Sequence, residues 1–173
     1  MAVPNYQSLM LPLLKFAERK GGETSTREAV EVLAKELNLA EDDLRKMLPS
    51  GIQSTFSNRM GWAATHLKKA GLLNATRRGF YQITDRGRDL IGKQPKSITI
   101  KLLRQYPEFL EFQKLRGSRS GDKPHDSQGD SDVLMATPSE ALETAYENLR
   151  DELADELLSK LKNVSPAFFE RLL

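Results

Sequence analysis

Residues 57–92, which read SNRMGWAATHLKKAGLLNATRRGFYQITDRGRDLIG, contain a helical pattern followed at once by a short hairpin pattern. Apolar residues recur at helical spacing up to position 70, and Gly71 is a natural stop signal. After it come a turn at 74–79 and a β-prone run at 80–83. The stretch therefore predicts one helix and, directly behind it, a hairpin.

The predicted helix has a polar and basic face opposite its apolar stripe. Ser57 is its predicted N-cap. Trp62 shares the polar face, although a tryptophan at this spacing is more often packed against a neighbouring helix. The side chains predicted to contact a nucleic acid from this helix are Asn58, Arg59, Thr65, Lys68 and Lys69.

The hairpin carries two arginines at its tip, Arg77 and Arg78, and a further helix follows at 85–92 with Thr84 as its cap. That helix adds Arg86 and Arg88 in its first turn as candidate phosphate contacts. A basic helix followed by an arginine-tipped hairpin is typical of winged-helix DNA-binding domains. We therefore predict a mainly α (α+β) fold, a winged helix-turn-helix with a small β-hairpin as its wing.

Further helices are predicted on both sides of this segment. Pro12 lies inside the first of them and marks either a kink or a later start. Position 56 is the one apolar anchor of a predicted loop. The predicted ranges are helices 6–20, 27–38 after the cap Thr26, 41–48, 98–106 after the cap Ser97, and 108–116, with the loop at 49–57.

The last third of the chain has a different character. Residues 117–138 are rich in Gly, Ser and Asp without a periodic apolar face, which predicts a flexible linker. After it, Ser139 is the predicted cap of a long amphipathic helix whose stripe comprises Leu142, Tyr146, Leu149, Leu153, Leu157 and Leu161. The predicted division is thus a DNA-binding domain at 1–116, a linker at 117–138 and a helical segment at 139–173.

The net charge of +2 conceals a strong asymmetry along the chain. Residues 1–54 carry 7 basic and 8 acidic groups, residues 55–116 carry 13 and 4, and residues 117–173 carry 6 and 12. A surplus of +9 on the helix-hairpin segment suits phosphate binding, since each cation that displaces a counterion strengthens it. A merely solvated basic face remains an alternative reading of the same surplus.

Composition excludes several other classes of protein. The chain has no cysteine and two histidines far apart, so neither a zinc ribbon nor a thiol nucleophile is expected, and we predict no metal site and no catalytic residue. The acidic cluster at 151–156 is interpreted as a solvated helix face. Without a bilayer-length apolar run or a signal peptide, we expect a soluble, cytoplasmic protein with no membrane partner.

Two resemblances cover nearly the whole chain. The segments PNYQSLMLPLLKFA, FSNRMGWAATHLKKAGLL, RRGFYQITDRGRDLI and LLRQYPEFLEF resemble, in this order, the amino-terminal domain of the Mrr family of restriction proteins. This resemblance implies a winged-helix DNA-recognition domain of a type IV, modification-dependent endonuclease that acts on methylated DNA. The final SPAFFERLL resembles the opening of the Mrr-type catalytic domain, whose PD-(D/E)XK-like core uses magnesium.

Because almost all of that core is absent, we expect a truncated start of the nuclease domain and no cofactor in this chain. The expected partner is double-stranded DNA, with methylated DNA as one alternative, and the oligomeric alternatives are a homodimer or a higher oligomer. One alternative is a winged-helix transcription regulator that dimerises through the helix beginning at Ser139. Another is a winged helix that binds protein instead of nucleic acid.

Overall fold

The computed structural model describes residues 3–119 and 136–162, and this part of the chain is mostly helical with one small antiparallel sheet. The sheet lies beside the helices that its strands connect. In chain order the elements are α1 (Tyr6–Lys20), β1 (Thr24–Ser25), α2 (Thr26–Glu36), α3 (Glu41–Arg45), α4 (Thr55–Lys69), β2 (Leu73–Arg77), β3 (Phe80–Ile83), α5 (Asp85–Gly92), α6 (Ile100–Leu103), α7 (Pro107–Arg119) and α8 (Pro138–Lys162).

The core is built mainly between α1 and α4. The apolar sides of both helices are fully buried, with Leu9, Leu13, Met60 and Leu67 all at zero exposure. Burying such side chains is the main force that fixes how the two helices pack. The predicted bounds of α1 are confirmed, and Pro12 lies inside that helix without ending it.

The sheet has the strand order β1-β3-β2, with β3 antiparallel to both neighbours. The predicted turn at 74–79 is wrong, since Asn74 pairs with Gln82 and Arg77 with Phe80, so β2 extends to Arg77. Only two residues remain for the tip. Gly79 adopts a φ of 79° there, a conformation that glycine reaches without strain. The predicted strand at 80–83 is confirmed.

Three predicted N-caps are wrong by one to three residues. The cap of α2 is Ser25, that of α4 is Ser54 and that of α6 is Thr99, and each side chain accepts the hydrogen bond from the backbone N–H three residues later. In α4 the helix begins inside the predicted loop because Phe56, 1% exposed, has to join the core. The cap Thr84 and the bounds of α5 are confirmed.

Two glycines allow the hairpin and α5 to approach α4 closely. Gly71 has a φ of 70°, and a Cβ there would lie 2.8 Å from the Arg86 guanidinium. A Cβ on Gly87 would lie 2.4 Å from the carbonyl oxygen of Leu72. A larger residue at Gly87 would push α5 away from Leu72, whereas at Gly71 it would be strained by the positive φ and would displace the flexible end of Arg86.

The start of α8 differs from its prediction as well. Thr137 precedes the helix, and its hydroxyl accepts a hydrogen bond from the Glu140 N–H while the Glu140 carboxylate accepts one from the Thr137 N–H. This reciprocal pair is a capping box, which replaces Ser139 as the cap. α7 reaches three residues into the predicted linker, and residues 120–135 and SPAFFERLL lie outside the described residues. Within the described ranges, none of the helices has the length and apolarity to cross a bilayer.

Candidate nucleic-acid interface

Outside the core, α4 has two distinct faces. The covered face, which consists of Asn58, Arg59 and Trp62, contacts the beginning of α8. The open face, which consists of Ser57, Gly61, Thr65 and Lys68, remains partly exposed along the helix. The face predicted from sequence mixes the two, because it is turned by about one sixth of a helical turn from the observed open face.

Asn58 lies at the centre of the covered face and is only 6% exposed. Its side-chain oxygen accepts a hydrogen bond of 2.6 Å from the hydroxyl of Thr137, which is itself completely buried. The indole N–H of Trp62 donates to the hydroxyl of Ser139 at 3.3 Å. In this structure Asn58 therefore does not reach the surface, whereas the prediction that Trp62 packs against a neighbouring helix is confirmed.

Arg59 is held on several sides. Its Nη1 donates to the carbonyl oxygens of Val3 and Pro4 at 2.6 and 3.2 Å, and its Nε and Nη2 lie 3.0 and 2.9 Å from Oε1 of Glu140. The two side chains are 21% and 13% exposed. Burial alone raises the pKa of the Glu140 carboxyl, but the hydrogen bonds from Arg59 and Thr137 outweigh it and lower that pKa.

A second carboxylate of α8 reaches the loop in front of α4. Glu143 accepts hydrogen bonds from the backbone N–H of Ser50 at 2.8 Å and from its hydroxyl at 3.0 Å. The start of α8 thus contacts both the loop and the first half of α4. Beyond Glu147, every residue of α8 up to Lys160 is exposed.

The open face consists of three small residues and one cation, Lys68. A Cβ added at Gly61 meets no atom within 4 Å, so the fold does not need glycine there. The hydroxyl of the half-buried Thr65 donates to the carbonyl of Gly61 at 2.9 Å and is therefore engaged within the helix, whereas the methyl group of Thr65 makes no hydrogen bond. Lys68 has no ion-pair partner among the described residues, while Lys69 lies 5.4 Å from the ring of Phe112 on α7.

The two arginines at the hairpin tip have different roles. Arg77 stacks on Phe80 at 3.7 Å and donates through Nε and Nη2 to Glu23 at 3.2 and 2.8 Å. Hydrogen bonds from Thr76 and Arg77 lower the pKa of the Glu23 carboxyl. Arg78 is exposed, and no side chain in the described part of the molecule pairs with it. Arg77 therefore braces the hairpin, and Arg78 is the cation that its tip presents.

The contacts of Arg86 and Arg88 involve residues outside the open face of α4. Arg86 donates to the carbonyl of Ala70 at 3.2 Å and to Glu108 at 3.1 Å, and lies over the ring of Tyr106. It joins α5 to the end of α4 and to α7. Arg88 pairs with Asp85 at 2.6 Å within its own helix. Both are partly exposed, so each retains a surface that can meet an anion.

Sequence reasoning missed the groups that cover α4. We did not predict that Thr137, Ser139 and Glu140 contact α4 or that Glu143 contacts the loop before it, because nothing in their local sequence points to a segment so far away. One signal was present: the spacing Thr137-x-x-Glu140 is a capping box in sequence and places the true start of α8.

Comparison with known proteins gives this surface a context. Residues 6–93 match the family described as the Mrr N-terminal domain. The chain belongs to this family. It is also 31% identical over 173 residues to the type IV methyl-directed restriction enzyme EcoKMrr of Escherichia coli (strain K12), a match that covers 98% of this chain and 57% of that protein. The Mrr resemblance predicted from sequence is thereby confirmed.

The chain spans little more than half the length of this curated relative. No solved structure matches the chain at a significant level. Within residues 3–119 and 136–162, acidic and histidine side chains form no cluster with the proximity that a metal ion needs.

Proposed function

We propose that this chain is the DNA-recognition part of a type IV restriction protein, with a winged-helix arrangement in which α4 is the recognition helix and the β2–β3 tip is the wing. The observation that carries the proposal is that the segment with a net charge of +9 presents both the open face of α4 and Arg78, an exposed cation without a side-chain partner among the described residues. Family membership supports a role in DNA binding within a restriction system.

In this arrangement the open face enters the major groove. Gly61 lets the helix backbone come close to the bases, while Lys68 and Lys69 meet the phosphates that flank them. The wing places Arg78 on the adjacent backbone or minor groove, with Arg77 as its brace, and Arg86 and Arg88 hold phosphates farther along. Asn58 and Arg59 contact the DNA only when the start of α8 no longer covers them.

We also infer that the DNA is methylated. The name of the relative includes methyl-directed activity, and the open face offers the Thr65 methyl group next to the space at Gly61. An apolar contact with a methyl group on a base edge is an ordinary form of major-groove readout. Cleavage itself would need magnesium and a nuclease core, which we assign to sequence that the relative has beyond this match.

A salt titration tests the proposal. The chain should bind random-sequence duplex with a steep loss of affinity between about 50 and 200 mM salt, as expected when cations replace counterions. Arg78→Ala should reduce the slope of log affinity against log salt by about one, whereas Arg19→Ala on α1 should leave it unchanged. An absence of duplex binding at low salt would overturn the proposal, and an unchanged slope in Arg78→Ala would remove the wing from it.

A transcription regulator that dimerises through α8 is the second candidate. What favours it is the exposed apolar stripe of α8, where Leu142, Tyr146 and Leu149 are 72%, 66% and 64% exposed. A second copy of the chain presents the same stripe and would cover it. Sedimentation of the wild type against a Leu149→Glu, Leu153→Glu variant separates the candidates, since the regulator requires a stable dimer and palindromic target sites.

A further inference from the structure

The start of α8 occupies donors that are chemically suited to phosphate. The backbone N–H and hydroxyl of Ser50 hold both oxygens of Glu143, and the guanidinium of Arg59 holds Glu140. These acceptors lie 93 and 81 residues away in sequence from their donors. A backbone amide, a hydroxyl and a guanidinium are also the groups with which proteins bind the DNA backbone.

We propose that Ser50 and Arg59 form a binding site for DNA backbone phosphates, which Glu143 and Glu140 fill in the free chain. The proposal rests on the assignment of α4 as the recognition helix. Carboxylates here stand in for phosphate oxygens. DNA and the start of α8 therefore compete for the same donors, and binding of the duplex releases α8 from the covered face of α4.

The electrostatics of α8 support this competition. Its sequence contains seven acidic and three basic residues. Two of these acidic residues, Glu140 and Glu143, contact α4 and the loop in front of it, so their charges act directly on the donors that would meet the DNA. Phosphates would be repelled as long as α8 stays in place, and its departure removes both the repulsion and the occupant.

The contact is also of a kind that polar ligands can displace. It comprises the ion pair at Arg59 and hydrogen bonds from Thr137, Trp62 and Ser50. The large apolar side chains of α8 remain exposed instead of packing on α4. Because apolar burial is the main force that holds helices together, little opposes the exchange of carboxylates for phosphates.

Two matched pairs of substitutions test the competition. Glu140→Gln with Glu143→Gln removes the negative charge of both occupants and so weakens their hold on the donors, and Glu152→Gln with Asp155→Asn removes the same charge from exposed positions farther along α8. The affinity of each variant for a short random-sequence duplex is measured by fluorescence anisotropy at fixed salt. We expect the first variant to bind at least about fivefold more tightly than the second, the lower end of ordinary coupling between sites.

Equal affinities of the two variants would show that only net charge matters and would overturn the proposal. A Thr137→Ala, Ser139→Ala variant removes two uncharged contacts and should tighten binding in the same direction. If the wild type binds duplex but neither set of contact variants tightens, this proposal alone falls. If no form of the chain binds duplex, the proposed function falls with it.

Trp62 provides a direct readout of release, since it is the only tryptophan in the chain and bonds to Ser139. Adding duplex should shift the Trp62 emission of the wild type toward the emission of the Glu140→Gln, Glu143→Gln variant. The emission of that variant should change little when duplex is added. An equal shift in both proteins would mean that DNA acts on Trp62 without displacing α8, which would contradict the proposal.

Discussion

The two faces of α4 divide one basic helix into groups that the chain uses itself and groups that it leaves to a ligand. On the covered face, the guanidinium of Arg59 donates hydrogen bonds to Glu140 and to backbone carbonyls. On the open face, Lys68 has no counterpart in the described part of the chain. The comparison shows that the location of a cation in a basic segment does not by itself make it available to a ligand in the free chain. Its intramolecular partners decide whether it is available.

The largest expected effect is the loss of duplex affinity when a charge on the open face of α4 is reversed. Lys68→Glu places a carboxylate on the open face and should weaken duplex binding by more than about tenfold, since it removes one phosphate contact and adds a repulsion. Lys69→Glu, beside Phe112, should have a smaller effect, and Lys15→Glu on α1 serves as a control for net charge. If anisotropy shows that Lys15→Glu loses as much duplex affinity as Lys68→Glu, the open face has no special role in binding.

A substitution at Gly61 should separate stability from function. Gly61→Ala adds a methyl group where the structure has open space, so it should raise the free energy of unfolding by about 1 kcal/mol, as in other helix interiors. The same methyl group should weaken duplex binding, because it lies where we propose that the DNA comes close. Urea denaturation and anisotropy on the same preparation check both signs, and a variant that is more stable with unchanged affinity would exclude close approach at Gly61.

Removing the guanidinium of the covered face should cost stability. Arg59→Met leaves the carbonyls of Val3 and Pro4 and the Glu140 carboxylate without their donor, so we expect a loss of about 1–3 kcal/mol in the free energy of unfolding. Arg78→Met, which gives up no such contact, should change stability by less than about 0.5 kcal/mol. Similar melting curves for the two variants would show that Arg59 is not held as described.

Two substitutions of Thr65 address methyl readout. Thr65→Val keeps a methyl group on the open face and loses the hydroxyl, whereas Thr65→Ser keeps the hydroxyl and loses the methyl group. The ratio of affinities for methylated and unmethylated duplex should survive in the first variant and fall by a few fold in the second. If both variants keep the ratio, the methyl group of the DNA is sensed elsewhere.

The smallest effect concerns the pH dependence of the covered face. Because the pKa of Glu140 is lowered in the folded chain, its contact with Arg59 contributes stability above the ordinary pKa of a glutamate. That contribution is lost as the pH falls through the lowered pKa. The difference in unfolding free energy between wild type and Glu140→Gln should therefore be constant near neutrality and shrink below about pH 4.5. A difference that grows on acidification would have the wrong sign.

Much of the framework could be predicted from the sequence because local patterns determine it. Helical periodicity and caps placed α1 and α5, and the β-prone run placed β3. The true start of α4 was missed because the need to bury Phe56 overrides the loop-like composition before it. The covered face could not be predicted at all, since it depends on a contact between segments about 80 residues apart.

The structure shows which of the predicted contact residues have partners within the chain, and the sequence could not show this. Periodicity placed Asn58 on the face opposite the apolar stripe of the helix, with Arg59 at the edge of that face, but it does not show what else packs there. Arg77 and Arg78 are adjacent and identical in type, yet Glu23 and Phe80 engage only the first. Such distinctions arise from tertiary structure and have no signal in a single sequence.

Mapping of the DNA contact by backbone amide NMR tests the central claim most directly. When a short duplex is added to the labelled chain at low salt, we predict that the amide signals of Gly61, Thr65 and Gly79 shift most among residues outside the α8 contact. Signals of α1 around Lys15 should stay in place. Large shifts on α1 with an unmoved open face and hairpin tip would contradict the account.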